Sequence, residues 1–317
     1  MEKLLIETRG LKKHFKTPAG MLHAVDGVDL AIRKGQTLGV VGESGCGKST
    51  LGRTILKLIE PTAGEIRYEG ENIEHFKEKQ MKRFRKEMQI IFQDPFSSLN
   101  PRMSIRQTIA EPLIVSKMFG SRSETDKRVD ELMATVGLDR RFANAYPHEL
   151  DGGRRQRIGV ARALAVNPKF IVCDEPVSAL DVSIQAQILN LMMDLQEEMN
   201  LTYMFITHNL SVVKHISNDI AVMYLGQCVE IVNSDRLFEN PLHPYTKALL
   251  SSIPVPRLNA KAKIGSVIKG EVTNPINPKP GCRFAARCPH VHKRCTDRDL
   301  SLREVEPGHM VACVLWE

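Results

Sequence analysis

The 317 residues contain no apolar run approaching the ~20 positions a helix needs to cross a bilayer. Aromatic residues are only 5% and tryptophan occurs once, which argues against a surface that stacks nucleobases. The opening MEKLLIETRG has neither a long apolar stretch nor a small-residue cleavage site. No secretory leader is therefore expected, and the chain is placed in the cytosol. There is no internal repeat and no sustained heptad pattern. The net charge of +7 is compatible with nucleic acid or an anionic membrane surface. Solvated lysines, such as those between Lys77 and Lys86, account for it more simply, and no nucleic-acid partner is expected. A cytosolic chain does not rely on disulfides, so the crowding of Cys282, Cys288, Cys295 and Cys313 near the end points to metal before cross-links. The length allows one large domain or two small ones.

The apolar patterning is that of an α/β protein with a mainly parallel sheet. LLIETRGLKKHF, GQTLGVVG, FIVCDEP, TYMFITH and DIAVMYLGQCVEIV read as strands, the last turning at Gly226. GEIRYEGENI reads as a short strand and turn. STLGRTILKLI has helical spacing, and Ile184, Ile188, Leu191, Met192 and Leu195 share one face of a second helix. A polar, helix-favouring region fills the chain up to about Gly137. After residue 240, prolines at 241, 244, 254, 256, 275, 278 and 280 punctuate an irregular extension. The expected division is 1–240 and 241–317.

Gly42-Glu43-Ser44-Gly45-Cys46-Gly47-Lys48-Ser49-Thr50 fits G-x-x-x-x-G-K-[ST], between a strand and a helix as the motif requires. Glycines let successive backbone N–H groups face inward, and the following helix N-terminus adds its own donors to a bound phosphate. Lys48 is expected at the β- and γ-phosphates and Ser49 on Mg²⁺. Downstream, Phe170-Ile171-Val172-Cys173 delivers Asp174 and Glu175 at a strand end. Asp174 is the expected metal holder, and Glu175 the group that polarises water.

With these residues in place the chain resembles the ABC ATPases, most closely the second ATPase subunit of bacterial oligopeptide/dipeptide permeases, over essentially its whole length. The resemblance implies an α/β P-loop NTPase core with antiparallel β and helical subdomains (the latter about 95–150), followed by a cysteine-containing extension. Gln93 in IIFQDP resembles the Q-loop, which links metal and nucleotide to the membrane subunits. Ser178-Ala179-Leu180-Asp181 resembles the D-loop, and His208 in ITHNL the histidine that contacts γ-phosphate. Phe15 is matched to the adenine-stacking aromatic, with a core phenylalanine as the competing reading. DPFSSLNPRM, CDEPVSALDVSIQAQ, NPLHPYTKALLSSIP and the ending GCRFAARCPHVHKRC…GHMVAC resemble the peptide branch. Nickel importers share many of these features, and a soluble non-transport ABC ATPase is a further alternative. The implied partners are a paralogous ATPase subunit in a heterodimer, two transmembrane permease subunits and an extracytoplasmic substrate-binding protein. The implied location is the cytoplasmic face of the membrane, and the implied ligands are ATP and Mg²⁺.

Two features depart from the simple pattern. Where the family signature reads L-S-G-G-Q, this chain has Leu150-Asp151-Gly152-Gly153-Arg154. The signature acts on the partner's nucleotide, so Asp151 adds like charge there, up to roughly 4 kcal/mol at ~4 Å and an effective dielectric of ~20. The alternative is an aspartate that caps the helix and is neutralised by Arg154 or Arg155. The cysteines follow C-x5-C-x6-C-x17-C, unlike the short C-x2-C of most zinc ribbons. Relatives with a similar set imply a [4Fe–4S] cluster, with Zn²⁺ or four reduced thiols as alternatives. His290, His292 and His309 nearby are expected to be solvated.

Overall fold

The computed structural model describes residues 3–252 and 275–317. Pro254 and Pro256 lie outside the described residues. The chain forms two compact units. The terminal unit comprises Leu4–Ile32, Thr37–Glu74 and Phe205–Glu317; the middle unit comprises His75–Met204 with Arg33–Gln36 and the first three residues.

The chain begins with β1 (Leu4–Thr17), β2 (Gly20–Arg33), β3 (Thr37–Val41), α1 (Lys48–Ile55), β4 (Ala63–Tyr68) and β5 (Glu71–Asn72). An antiparallel sheet has the order β2-β1-β4-β5. In β2, Val28, Leu30 and Ile32 are buried while Asp29 and Ala31 face out, the alternation of a strand with one wet face. This second long strand is absent from the expected elements. β3 is buried at every position, as a strand covered on both faces should be.

The middle unit runs through α2 (Glu78–Glu87), β6 (Met88–Ile91), α3 (Pro95–Ser98), α4 (Ile105–Val115), α5 (Arg122–Thr135), α6 (Gly152–Leu164), β7 (Phe170–Asp174) and α7 (Val182–Met199) to β8 (Thr202–Ile206), whose residues divide between the units. α2 exposes Lys79 and Lys82 and buries Met81 and Phe84, so the basic run is a solvated face. β6 interrupts the region expected to be helical up to Gly137. It has only four residues, too few for periodicity to register, and pairs in parallel with β7 from Met88↔Phe170 to Ile91↔Cys173. α7 buries Ile188, Leu189, Met192 and Leu195, with Ile184 and Leu191 half-buried at the margin of the expected face.

The return to the terminal unit adds α8 (Leu210–Ile216), β9 (Asp219–Tyr224), β10 (Gln227–Asn233), α9 (Ser234–Glu239) and α10 (Pro244–Ser251). Then come α11 (Arg294–Asp297), β11 (Arg303–Glu306) and β12 (His309–Val311). β3 pairs in parallel with β9, and β10, β12 and β11 follow antiparallel. Among the described residues of the extension, the last two strands continue this sheet. One expectation is corrected here. His309 is fully buried rather than solvated, because β12 carries it against Glu230 of β10, Nε2 to Oε1 at 2.7 Å with neither side chain exposed. Glu230 also accepts the backbone N–H groups of Leu242 and His243 at 2.7 and 3.0 Å.

Removing one partner of such a buried pair strands the other. Glu230→Ala should therefore destabilise the protein by about 3–5 kcal/mol. The measurement is the urea midpoint, and a loss below about 1 kcal/mol would show that the pair holds little.

Candidate active site

In the terminal unit the phosphate loop is formed by glycines that no other residue could replace without strain. Gly42, Gly45 and Gly47 have φ of 153°, 77° and 104°. A Cβ on Gly42 would lie 2.2 Å from the Met223 carbonyl, and one on Gly47 2.0 Å from the Ala24 carbonyl. The loop turns back so tightly that the Lys48 ammonium, on a residue 5% exposed, donates to the carbonyls of Gly42 and Glu43 at 2.8 and 3.0 Å. Cys46 is buried beside it, and burial pushes its thiol pKa upward, so it sits in the loop as a small neutral side chain. Ser49 and Thr50 follow in the first turn of α1, whose N-cap Gly47 supplies no side-chain acceptor. The cradle is narrow, cationic and lined by a helix N-terminus, a fit for phosphate oxygens.

Also in this unit, His208 is exposed at the turn between β8 and α8, just past Thr207, whose N–H donates to the Val40 carbonyl at 3.1 Å. Phe15 on β1 is half-buried, with Lys13 Nζ 4.8 Å from its ring centroid, and is not one of the core phenylalanines.

In the middle unit β7 is buried throughout, and Asp174 at its end is 1% exposed. Glu175 follows with φ of 48°, a left-handed conformation that costs a non-glycine residue about 1–2 kcal/mol. That turn aims its carboxylate at Gln93, whose Nε2 donates to Oε2 at 3.0 Å. Gln93 and Glu175, 82 residues apart, are thus brought together. The Glu175 carbonyl accepts from the Ser178 hydroxyl at 3.1 Å, tying the following loop to the same turn.

The segment that resembles the family signature opens α6. Asp151 is its N-cap: Oδ1 accepts the Arg154 N–H at 2.8 Å while Oδ2 pairs with the Arg154 guanidinium at 2.5 Å. Gly152 and Gly153 open the helix against α7 and the turn before it. A Cβ on Gly153 would meet Ile184 at 2.7 Å. The capping geometry of the second sequence reading of Asp151 is present, with Arg154 beside it.

Known proteins match this chain almost end to end. The family described as ABC transporter matches residues 25–178, and the oligopeptide/dipeptide transporter C-terminal region matches residues 229–295. The chain is 50% identical to the oligopeptide transport ATP-binding protein AppF of Bacillus subtilis (strain 168), over 99% of this chain and 98% of that one. It is 51% identical to OppF of the same organism, over 99% and 97%. The chain belongs to this family. It is an ATP-binding, ATP-hydrolysing subunit of the ABC class. Among solved structures, the dimeric cassette MJ0796 in a post-hydrolysis state with ADP and Pi matches with a TM-score of 0.67 and 29% identity, over 73% of this ATPase and 99% of that chain.

The ATPase carries a second feature, in its extension. Cys282, Cys288, Cys295 and Cys313 line one cavity together with Phe284 and His290. None of the four is in a disulfide. The His290 N–H approaches Cys288 Sγ at 3.4 Å, and Gly281, at φ 106°, lets the Cys282 N–H reach the Cys295 carbonyl at 2.7 Å. Burial and the neighbouring thiols push Cys282 up to about 11 and raise Cys288 and Cys313. Among the described residues, the set of His, Cys, Asp or Glu whose ligand atoms all lie within 4.8 Å of one another is instead His14, His23 and Asp26.

Sequence reasoning misses the groups that brace the phosphate loop from a distance. The Tyr245 hydroxyl accepts the Glu43 N–H at 2.9 Å. Arg287 makes a two-pronged pair with the Glu43 carboxylate at 2.9 and 3.1 Å. Arg283 bonds both Asp26 and the Leu225 carbonyl. Tyr245 and the arginines lie within the quoted NPLHPYTKALLSSIP and GCRFAARC segments, the arginines between Cys282 and Cys288, but nothing in those segments ties them to the phosphate loop.

Because Asp151 caps α6, Asp151→Ser should leave stability within about 0.5 kcal/mol of the parent, while Asp151→Ala should lose about 1 kcal/mol. Urea denaturation measures both. Equal losses would show that the charge, and not the cap, is what the position contributes.

Proposed function

We propose that this ATPase energises import of di- or oligopeptides from the cytoplasmic face of the membrane. The observation that carries the reading is the 229–295 match to the oligopeptide/dipeptide C-terminal region, in a chain that aligns with oligopeptide transport proteins almost end to end. Among the described residues no helix is long and apolar enough to span a bilayer, so the translocation path would belong to other subunits. The proposed assembly pairs this chain with a paralogous ATPase, two transmembrane permease subunits and an extracytoplasmic binding protein. Residues 1–240 would form the nucleotide-binding domain and 241–317 its extension.

In this reading Lys48 exchanges the carbonyls of Gly42 and Glu43 for the β- and γ-phosphate oxygens, a charge-assisted contact. Each of Ser49, Asp174 and Gln93 carries a hard oxygen donor (hydroxyl, carboxylate or amide) of the kind Mg²⁺ takes, and the ion would neutralise phosphate charge when bound. Glu175, oriented by the Gln93 amide, accepts a proton from the attacking water. His208 contacts the γ-phosphate and Phe15 stacks on adenine. Gly152 and Gly153 present helix N–H groups to the partner's nucleotide. Since Arg154 already neutralises Asp151, the repulsion that would make the two ATP sites of a heterodimer unequal is reduced. The four thiols that line one cavity suit a [4Fe–4S] cluster, with one zinc ion as the alternative. All four cysteines would hold it, and it would supply the positive charge that keeps buried thiolates ionised.

A strain lacking this gene should lose growth on di- and oligopeptides as sole source of a required amino acid, and grow normally on limiting nickel. The reverse pattern would replace peptide with nickel as the solute. In the assembled transporter Glu175→Gln should keep ATP binding and lower turnover by 10²-fold or more. Unchanged hydrolysis would remove Glu175 from catalysis. Protein purified without oxygen or chelators should be brown and contain about four iron atoms per chain. Stoichiometric zinc, or neither metal, would overturn the cluster.

A further inference from the structure

The phosphate loop is held from outside by residues of the cysteine-bearing region, and that contact has a mechanical consequence for nucleotide binding. Glu43 is gripped at three points. Its carboxylate takes both terminal nitrogens of Arg287, its N–H donates to Tyr245 Oη, and its carbonyl accepts from Lys48 Nζ. Arg287 is itself constrained. Its side chain is 7% exposed, and Nη1 also reaches the Tyr224 hydroxyl at 3.3 Å. Tyr224 and Tyr245 are fully buried and meet edge to face at 4.6 Å, and Phe284 packs on both at 5.3 and 5.4 Å. Phe284 also lines the cysteine cavity, and Arg287 precedes Cys288 in the chain.

We propose that Arg287 is a positioning residue for the phosphate loop, fixing Glu43 so that the loop amides and Lys48 are set for nucleotide phosphates. The proposal rests on the ATP-binding role of the loop. A planar guanidinium on a carboxylate fixes direction as well as distance, which a lysine would not. Glu43 lies one residue past Gly42, whose φ and close approach to the Met223 carbonyl leave the backbone one path. Holding the next side chain therefore restricts the peptide plane whose carbonyl meets Lys48. Arg283 does the same for the flanking backbone. It ties Asp26 to the Leu225 carbonyl, next to the Ala24 carbonyl that abuts Gly47 and to Gly226, whose N–H donates to the Cys46 carbonyl at 2.8 Å.

Glu43→Gln separates positioning from simple electrostatics. If Arg287 mattered only as a positive charge near phosphates, removing the Glu43 charge would tighten anion binding. If the pair positions the loop, Glu43→Gln weakens it. The full chain and its Lys48→Ala, Arg287→Ala, Arg287→Lys, Glu43→Gln and Glu43→Arg/Arg287→Glu variants are titrated with a fluorescent ATP analogue, with melting temperatures taken without nucleotide. Lys48→Ala should abolish binding; retained binding there would refute the loop's role rather than the brace. Given that loss, Arg287→Ala should raise Kd about tenfold, Arg287→Lys should recover part of it, and Glu43→Gln should also raise Kd. The exchanged pair should recover part of the loss seen with Arg287→Ala. In ATPase assays KM should rise more than kcat falls. A Kd unchanged in folded Arg287→Ala, a Kd lowered by Glu43→Gln, or an exchanged pair that binds no better than Arg287→Ala would each overturn the proposal.

Discussion

A buried ammonium is the constraint around which the terminal unit is arranged. Lys48 is 5% exposed, so its charge must be met by fixed acceptors, and the acceptors nearest in the chain are the carbonyls of Gly42 and Glu43. Bringing them back onto a side chain five and six residues later needs a loop tighter than ordinary residues allow. Positive φ at Gly42, Gly45 and Gly47 meets that need. The tightness is transmitted outward. Met223 at the end of β9 and Ala24 on β2 press their carbonyls where a Cβ would stand, so both strands must be placed to within a fraction of an ångström for the loop to close. The parallel β3–β9 pair fixes one wall, and the aromatic set of Tyr224, Tyr245 and Phe284 backs it.

The turn after β7 uses strain where the loop before Lys48 uses glycine. β7 is wholly apolar up to Asp174 and then must expose a carboxylate within one residue. A left-handed Glu175 accomplishes this at a conformational cost, and the cost is sustained because the preceding strand is buried and the following loop is bonded back to the Glu175 carbonyl. Gln93 meets that carboxylate from the segment after β6. A short strand that the sequence does not signal therefore decides where the Gln93 amide lies.

What could be read from the sequence is what lies contiguous in it. The phosphate loop is nine consecutive residues whose chemistry needs no partner to be recognised, and Asp174-Glu175 is announced by four apolar residues before it. The turn at Gly226 and the helix after the loop follow from local spacing. What could not be read is set by tertiary pairing. Arg287 and Glu43 are 244 residues apart, Arg283 and Asp26 257, Tyr245 and Glu43 202. Nothing in the neighbourhood of either partner indicates the other. His309 illustrates the same limit. Among prolines and charges it reads as solvated, and only the placement of β12 beside β10 gives it a buried carboxylate. Asp151 is intermediate. A cap and a repulsive charge are the same residue in sequence, and the hydrogen bond from the Arg154 N–H, with the Arg154 guanidinium on the other oxygen, shows the cap.

These long-range contacts also bear on why a nucleotide-binding core would carry a cysteine-bearing extension at all. Cys282 and Cys288 bracket a five-residue turn from which Arg283 and Arg287 reach opposite sides of the phosphate loop, one to Asp26 and the Leu225 carbonyl, the other to Glu43. The bracketing cysteines pack against the same aromatic cluster that holds Tyr245. A turn this short has no hydrophobic core of its own. Its shape depends on what its ends are fastened to, through the cysteine cavity on one side and the aromatic cluster on the other. Fastening those ends therefore places two guanidinium groups, and two guanidinium groups place the loop. The extension is in this sense continuous with the nucleotide site, linked to it by salt bridges and ring contacts as well as by chain connectivity.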